Sequence, residues 1–275
     1  MPFAPPLSIQ EVQAPFAGKY LVDSALQAGG QGAVFKARVD SGGATIALKI
    51  YHADQLEERL ERELAALKSI HGPTLVELHD AGRCAVRGEE CRFLAMTFIE
   101  GDPLDAVIAR EGPQPLTRIA RVAHDVALAI DQVWEARIVH RDLKPNNIML
   151  TSAGGGVLID LGVARHIDLT SLTTTGKTWG TFGYMSPEQA CGQPLTCKSD
   201  VFALGVVIQE CVLGRHPTSR RQDLLLNGGP STDGLRADLP QDFAKLVDAM
   251  VHKTAIRRPL PRAVASELVQ LAQLT

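Results

Sequence analysis

At 275 residues the chain is long enough for one large domain or for two lobes around a cleft. A hydrophobic share of 45% and a charged share of 21% are those of an ordinary folded chain. The formal net charge of -3, from 28 Lys and Arg against 31 Asp and Glu, gives no electrostatic case for nucleic acid as the main partner. No apolar run approaches the ~18 residues that a membrane span needs.

Residues 1–17 lack the basic start and apolar block of a signal peptide, and their Pro and Ala content reads as a flexible lead-in. The next stretch reads mostly as strands. "KYLVDSAL", "GAVFKARV", "TIALKIY", "TLVELHDAG" and "FLAMTFI" are short, apolar or alternating, and parted by Gly, Asp and Ser turns. One helix interrupts them, Asp54–Ile70, with Leu56, Leu60, Leu64, Leu67 and Ile70 along one face and Gly72-Pro73 as its stop. Five cysteines contain no C-x-x-C pair and read as free thiols in a reducing cytoplasm. Cys84 and Cys91 flank a turn and would face each other across a hairpin.

After Gly101 helices take over. "LTRIARVAHDVALAIDQVWEA" carries an apolar stripe, and "SDVFALGVVIQECVLG" is apolar all round, hence buried. "PQDFAKLVDAMVHKT" and "RAVASELVQLAQL" follow. The expected class is therefore α+β, with a small antiparallel strand lobe carrying one main helix (residues 18–98) and a larger, mainly helical lobe (99–275). A cleft between two lobes is a common ligand site. The eight histidines show no metal-ligand spacing.

The most specific stretch is "VHRDLKPNNIML", residues 139–150. It resembles the protein kinases, and their serine/threonine group in particular: His140, Arg141, Asp142, Leu143 and Asn147 match the family's H-R-D-L-x-x-x-N. The resemblance runs from about residue 18 to the end, and "YMSPEQ" and "SDVFALGVVIQE" look like the bacterial branch of eukaryotic-like kinases. It implies a two-lobed kinase fold and ATP- and Mg2+-dependent phosphoryl transfer, with Mn2+ as the alternative ion. Asp142 would take the acceptor proton, and Lys144 would sit beside the moving phosphoryl group. Asn147 and Asp160, the latter in "DLG" with Leu161 in place of the family's Phe, would hold the metal.

"IALK" resembles the family's V-A-I-K and places Lys49 on the third strand, with Glu63 as its expected partner and Glu61 as the alternative. "LQAGGQGAVF" stands where the family has G-x-G-x-x-G-x-V. Gly29, Gly32 and Val34 match, Gln27 replaces the first glycine, and Gly30 lies within the loop. By the same resemblance Leu26, Val34, Ala47 and Met149 would sandwich the adenine, Met96 would be the gatekeeper, and the backbone of Thr97, Phe98 and Ile99 would meet its edge. Thr181, in "GTFGYMSPE", is where Ser/Thr kinases place a threonine touching the catalytic Asp and Lys. Glu188 would pair with Arg258, and Asp200 would bond the catalytic-loop backbone. Thr173, Thr174, Thr175 and Thr178 form a hydroxyl cluster suited to autophosphorylation, Thr173 and Thr175 first, with Arg141 receiving the phosphate. A Walker A reading of "GKT" at 176–178 fails, because Ser171 stands where it needs Gly.

The function implied is a cytoplasmic protein serine/threonine kinase acting on protein substrates, with a homodimer for phosphorylation in trans and no membrane segment. It would be either a complete kinase or the catalytic piece of a longer receptor. A pseudokinase module keeps the fold, but Lys49, Asp142, Asn147 and Asp160 argue against it. A small-molecule phosphotransferase is opposed by Lys144, Thr181 and "SPE", and a pure interaction module by the whole charged set.

Overall fold

Alternation of side chains across a pleat sets the first sheet. In the computed structural model, which describes residues 5–29, 32–40, 42–51, 57–161, 165–166 and 181–273, five antiparallel strands run in the order β1-β2-β3-β5-β4. They are β1 (Tyr20–Gly29), β2 (Gly32–Val39), β3 (Thr45–Tyr51), β4 (Leu78–Val86) and β5 (Glu89–Thr97). One face carries Ala33, Phe35, Ala37, Ile46, Leu48, Ile50, Phe93 and Ala95, all buried in the core. A second helix of the unit, α2, spans Glu57–Ser69 and ends before Gly72-Pro73, with Leu67 and Ile70 buried.

Residues 1–17 are not a flexible lead-in, as far as they are described. Helix α1 (Ile9–Gln13) begins at a capping box. The Ser8 hydroxyl accepts from the Glu11 amide (3.3 Å), and the Glu11 carboxylate accepts from the Ser8 amide (2.8 Å). Leu7, Val12 and Phe16 are buried in the same core as the strands, and the Phe16 ring meets Phe93 edge-on at 4.9 Å. The Gln13 side chain accepts from the Val22 amide and donates to the Tyr20 carbonyl, standing in for a neighbouring strand. Arg87, at the β4–β5 turn, grips Glu11 and the carbonyls of Pro5 and Pro6. Three apolar residues among prolines carry too weak a period to read as a helix; burial against a sheet formed later in the chain supplies what the period lacks.

The chain divides into two compact units, and not by a single cut near residue 98. The first unit runs up to Lys68 and resumes over Val76–Ile99; the second takes Ser69–Leu75 and everything from Glu100 on. Ser69–Leu75 joins the second unit because Thr74 O accepts from the Leu158 amide (2.9 Å) and Leu75 bridges Leu158 in parallel.

The second unit opens with β6 (Gly101–Pro103) and α3 (Leu104–Glu111), followed by α4 (Leu116–Glu135) and β7 (Ile138–Val139). Strands β8 (Ile148–Thr151) and β9 (Gly156–Leu158) complete a β6-β8-β9 sheet, and β10 (Arg165–His166) pairs with β7. Then come α5 (Pro187–Ala190), α6 (Cys197–Leu213), α7 (Gln241–Met250) and α8 (Pro261–Gln273). Helix α6 is buried almost throughout, as a helix without a polar face must be, and Thr196 and Ser199 form its capping box. Helix α4 packs its stripe against α6, α8 and β9.

All five cysteines are free. Cys84 and Cys91 do face each other, as register partners across β4 and β5. Cys84, Cys91, Cys197 and Cys211 are buried, and burial drives their thiols up, Cys84 to about 12 and Cys197 to about 11. Only Cys191 is exposed. Ellman's reagent at pH 8 is therefore expected to titrate a single thiol in the native protein and all five after denaturation. Rapid labelling of a second thiol in the native state would contradict the burial.

Candidate active site

The "HRDLKPN" loop follows β7 and is held by α6. Both carboxylate oxygens of the buried Asp200 accept backbone amides, His140 N at 2.8 Å and Arg141 N at 2.9 Å. Full burial pushes this carboxyl above its ordinary range, opposed by His140 and by the two amide donors, which favour the anion. The Asp142 amide then donates to His140 Nδ1 (3.2 Å). Three side chains converge on one point. Asp142 Oδ2 accepts from Lys144 Nζ (2.8 Å), Asp142 Oδ1 accepts from the Thr181 hydroxyl (2.7 Å), and Lys144 Nζ also donates to that hydroxyl (2.7 Å). The buried Asn147 turns its amide nitrogen to the Asp142 carbonyl (2.8 Å), which leaves its oxygen as the atom able to meet a cation. Its own carbonyl accepts from the Ile159 amide (3.0 Å), so the loop and the end of β9 are joined one residue before Asp160. Asp160 is partly buried, and Leu161, where the family has Phe, is 2% exposed.

Further on, Ser186 caps α5, and Glu188 makes a two-pronged pair with Arg258 at 2.6 and 2.9 Å. Thr181 is carried on a turn gripped at Gly183. Gln222 Oε1 accepts from the Gly183 amide, and buried His216 donates from Nε2 to the Gly183 carbonyl, both at 2.9 Å. With φ at +95° and a would-be Cβ only 2.8 Å from Arg220 Cα, Gly183 accepts no side chain. His216 Nδ1 accepts from the amides of Thr218 and Arg220, and burial lowers its pKa, so the ring stays neutral. Reading the sequence missed His216 and Gln222, because nothing in "GRHPTSRRQ" announces what its side chains reach. Phe182, beside Thr181, is 65% exposed.

In the first unit, direct cross-strand partners share a face. Val34 pairs with Lys49, and Ala47 pairs with Lys36 and Met96, so Val34, Ala47, Lys49 and Met96 line the face opposite the core. Lys49 is 9% exposed, its Nζ 4.9 Å from the Tyr51 ring centroid. Leu26 sits in a bulge between Ala25 and Gln27 and is 46% exposed. Gly29 pairs with Gly32, where any Cβ would run into the Ile50 carbonyl oxygen. Gly30 lies outside the described residues, as do Thr173, Thr174, Thr175 and Thr178. Glu63 is on α2 with its side chain likewise outside what is described, while Glu61 is exposed. The Phe98 amide is used within the unit, donating to Thr45 O (3.3 Å), and the Thr97 amide donates to Glu77 O (2.9 Å). The Thr97 and Phe98 amides thus have partners within the unit. Met149 belongs to the second unit, on β8 opposite Pro103 and Val157.

Comparison with known proteins bears on this geometry. The family model described as protein kinase domain matches residues 20–270. The chain is 29% identical over 257 residues to the serine/threonine-protein kinase PknA of Mycobacterium tuberculosis, covering 89% of this chain and 58% of that protein. It is 33% identical over 260 residues to a probable serine/threonine-protein kinase, CE0033, of Corynebacterium efficiens (90% and 39%), and 31% identical over 268 residues to PknH of Mycobacterium bovis (93% and 43%). The chain thus spans about two fifths to three fifths of the length of these relatives. No helix among the described residues is long and apolar enough to cross a membrane.

Proposed function

The chain belongs to the protein kinase family, and from that premise we propose that it transfers the γ-phosphoryl group of ATP to Ser and Thr hydroxyls of proteins. The observation that carries this reading is the Asp142–Lys144–Thr181 triangle. A carboxylate offers about four lone-pair sites, so its two donors leave room for an acceptor hydroxyl. In the step itself the bond from γ-phosphorus to the ADP oxygen breaks and a bond to the acceptor oxygen forms. The acceptor proton passes to Asp142, and ADP leaves. The Lys144 ammonium, 2.8 Å from Asp142, offsets charge on the transferred group. Protein kinases use ATP with a divalent metal, and the oxygen donors of Asn147 and Asp160 fit a hard cation, Mg2+ first and Mn2+ next. Such an ion, when bound, neutralises phosphate charge. Lys49, with Glu63, would steady the α- and β-phosphates under Gly29, Gly30 and Gly32, while Leu26, Val34, Ala47, Met96, Phe98 and Ile99 of the first unit would hold the base.

Thr173 and Thr175, then Thr174 and Thr178, are the proposed autophosphorylation sites, reached in trans within a homodimer. The five free thiols support a reducing compartment such as the cytoplasm.

Incubation with γ-labelled ATP and Mg2+, alone and with a generic protein acceptor, tests the reading. Label on Ser or Thr residues that disappears with EDTA is the expected result. Nucleotide binding with no transfer to either acceptor would replace it with a pseudokinase.

A further inference from the structure

Arg141 precedes Asp142 and holds a backbone angle that residues with side chains avoid, with φ at +71°. Such a conformation persists where its surroundings over-determine it. Two side chains from two separate elements do so here. Asp200 of α6 accepts the Arg141 amide at 2.9 Å. Gln189 of α5 donates from Nε2 to the Arg141 carbonyl at 2.6 Å. That carbonyl belongs to the same planar peptide unit as the Asp142 amide. The amide end is engaged by His140 Nδ1. The peptide leading into Asp142 is therefore pinned at both ends, and Gln189 is the pin that comes from outside the catalytic loop.

Gln189 is itself well fixed. It is 7% exposed, its amide donates to the Ser186 hydroxyl (3.3 Å), and its neighbour Glu188 is tied to Arg258. We propose that Gln189 is a positioning residue for phosphoryl transfer, which pins the Arg141–Asp142 peptide and so fixes the Asp142 carboxylate against the acceptor hydroxyl. This rests on the kinase reading.

Two substitutions separate pinning from packing. Gln189→Met fills the volume without a donor. It is expected to lower kcat towards a protein acceptor by about 10- to 100-fold and to leave KM for ATP unchanged, since a small misplacement acts on the reacting geometry. Gln189→Glu turns a carboxylate on the carbonyl at alkaline pH and regains a donor once protonated. The groups around it (His140, Asp142, Lys144, Glu188, Asp200, Arg141 and Arg258) are common to both proteins. The ratio of variant to wild-type kcat at each pH therefore isolates residue 189, and it is expected to climb as pH falls from about 9 towards 6. Burial beside a carbonyl raises a carboxyl pKa into that interval. A flat ratio, or a Met variant within about twofold of wild type, would overturn the proposal.

Hydrogen exchange at the Asp142 amide gives a readout free of turnover, expected faster in Gln189→Met at an unchanged melting temperature. A wild type silent towards all acceptors would sink the kinase reading, while unchanged exchange would sink the pin.

Discussion

Asp142→Asn is expected to lower phosphoryl transfer by about 10²- to 10⁴-fold, the range for a removed general base, with ATP affinity within about twofold of wild type. That loss corresponds to roughly 3–5 kcal/mol of barrier. The exchange is nearly isosteric, so the loop keeps its Asp200 and His140 bonds. What changes is chemical. Asn accepts no proton, and only one of its terminal atoms accepts a hydrogen bond, whereas Asp142 now accepts from both Lys144 and Thr181. One of those donors must then face an NH2 group. Steady-state kcat with a saturating protein acceptor, beside a fluorescent-nucleotide titration, measures both halves. Transfer within tenfold of wild type would remove Asp142 from the role of base.

Arg258→Met is expected to destabilise the second unit by roughly 3–5 kcal/mol, as breaking a buried ion pair does. At about 2–4 °C per kcal/mol for a body of this size, its melting temperature should fall on the order of 10 °C. Arg258 is 1% exposed and uses all five N–H donors. Two go to Glu188, and one each goes to the carbonyls of His252, Lys198 and Lys253. Its guanidinium lies 4.8 Å from the Phe202 ring centroid. Removing it strands a buried carboxylate that still accepts from the Ser199 hydroxyl but has lost its cation. Glu188→Leu with Arg258→Met should cost less than the two single losses summed, because no charge is left unpaired.

The pH dependence has a definite sign. Burial works to raise the Glu188 pKa, but the hydrogen bonds and charge of Arg258 outweigh it, and the carboxyl sits below its ordinary value. A depressed folded pKa gives stability that is present above the unfolded value of about 4.3 and lost as pH falls through the folded one. The gap in melting temperature between wild type and Arg258→Met should thus be full at pH 7 and narrow in acid. A gap constant with pH would mean that the loss is one of packing alone.

How much was legible depends on range in sequence. "VHRDLKPNNIML" is contiguous, so the identity of Asp142, Lys144 and Asn147 could be read at once, and β2 and β3 followed from alternation over seven or eight residues. The outer halves of β4 and β5, "RCAV" and "EECR", carry no clear alternation, and only the turn between Cys84 and Cys91 marks a hairpin there. The turn at Arg87 and Gly88, both at positive φ, pairs them nonetheless. Helix α3 is too short to show a period, and the partners of the Thr97 and Phe98 amides, Glu77 and Thr45, lie 20 and 53 residues away.

By itself, the sequence determined the class of fold, the strands and helices with a clear period, and the residues of the catalytic loop, because each is written in neighbouring positions under local steric and hydrophobic rules. The tertiary structure alone decided that residues 5–16 pack as a cap, that Ser69–Leu75 joins the second unit, and that Gln189 reaches Arg141. The physical reason is the same in all three. The partner lies 48 to 84 residues away, as with Gln189 and Arg141, Pro5 and Arg87, or Thr74 and Leu158, and a buried polar or apolar group takes its partner from whatever the folded chain brings beside it.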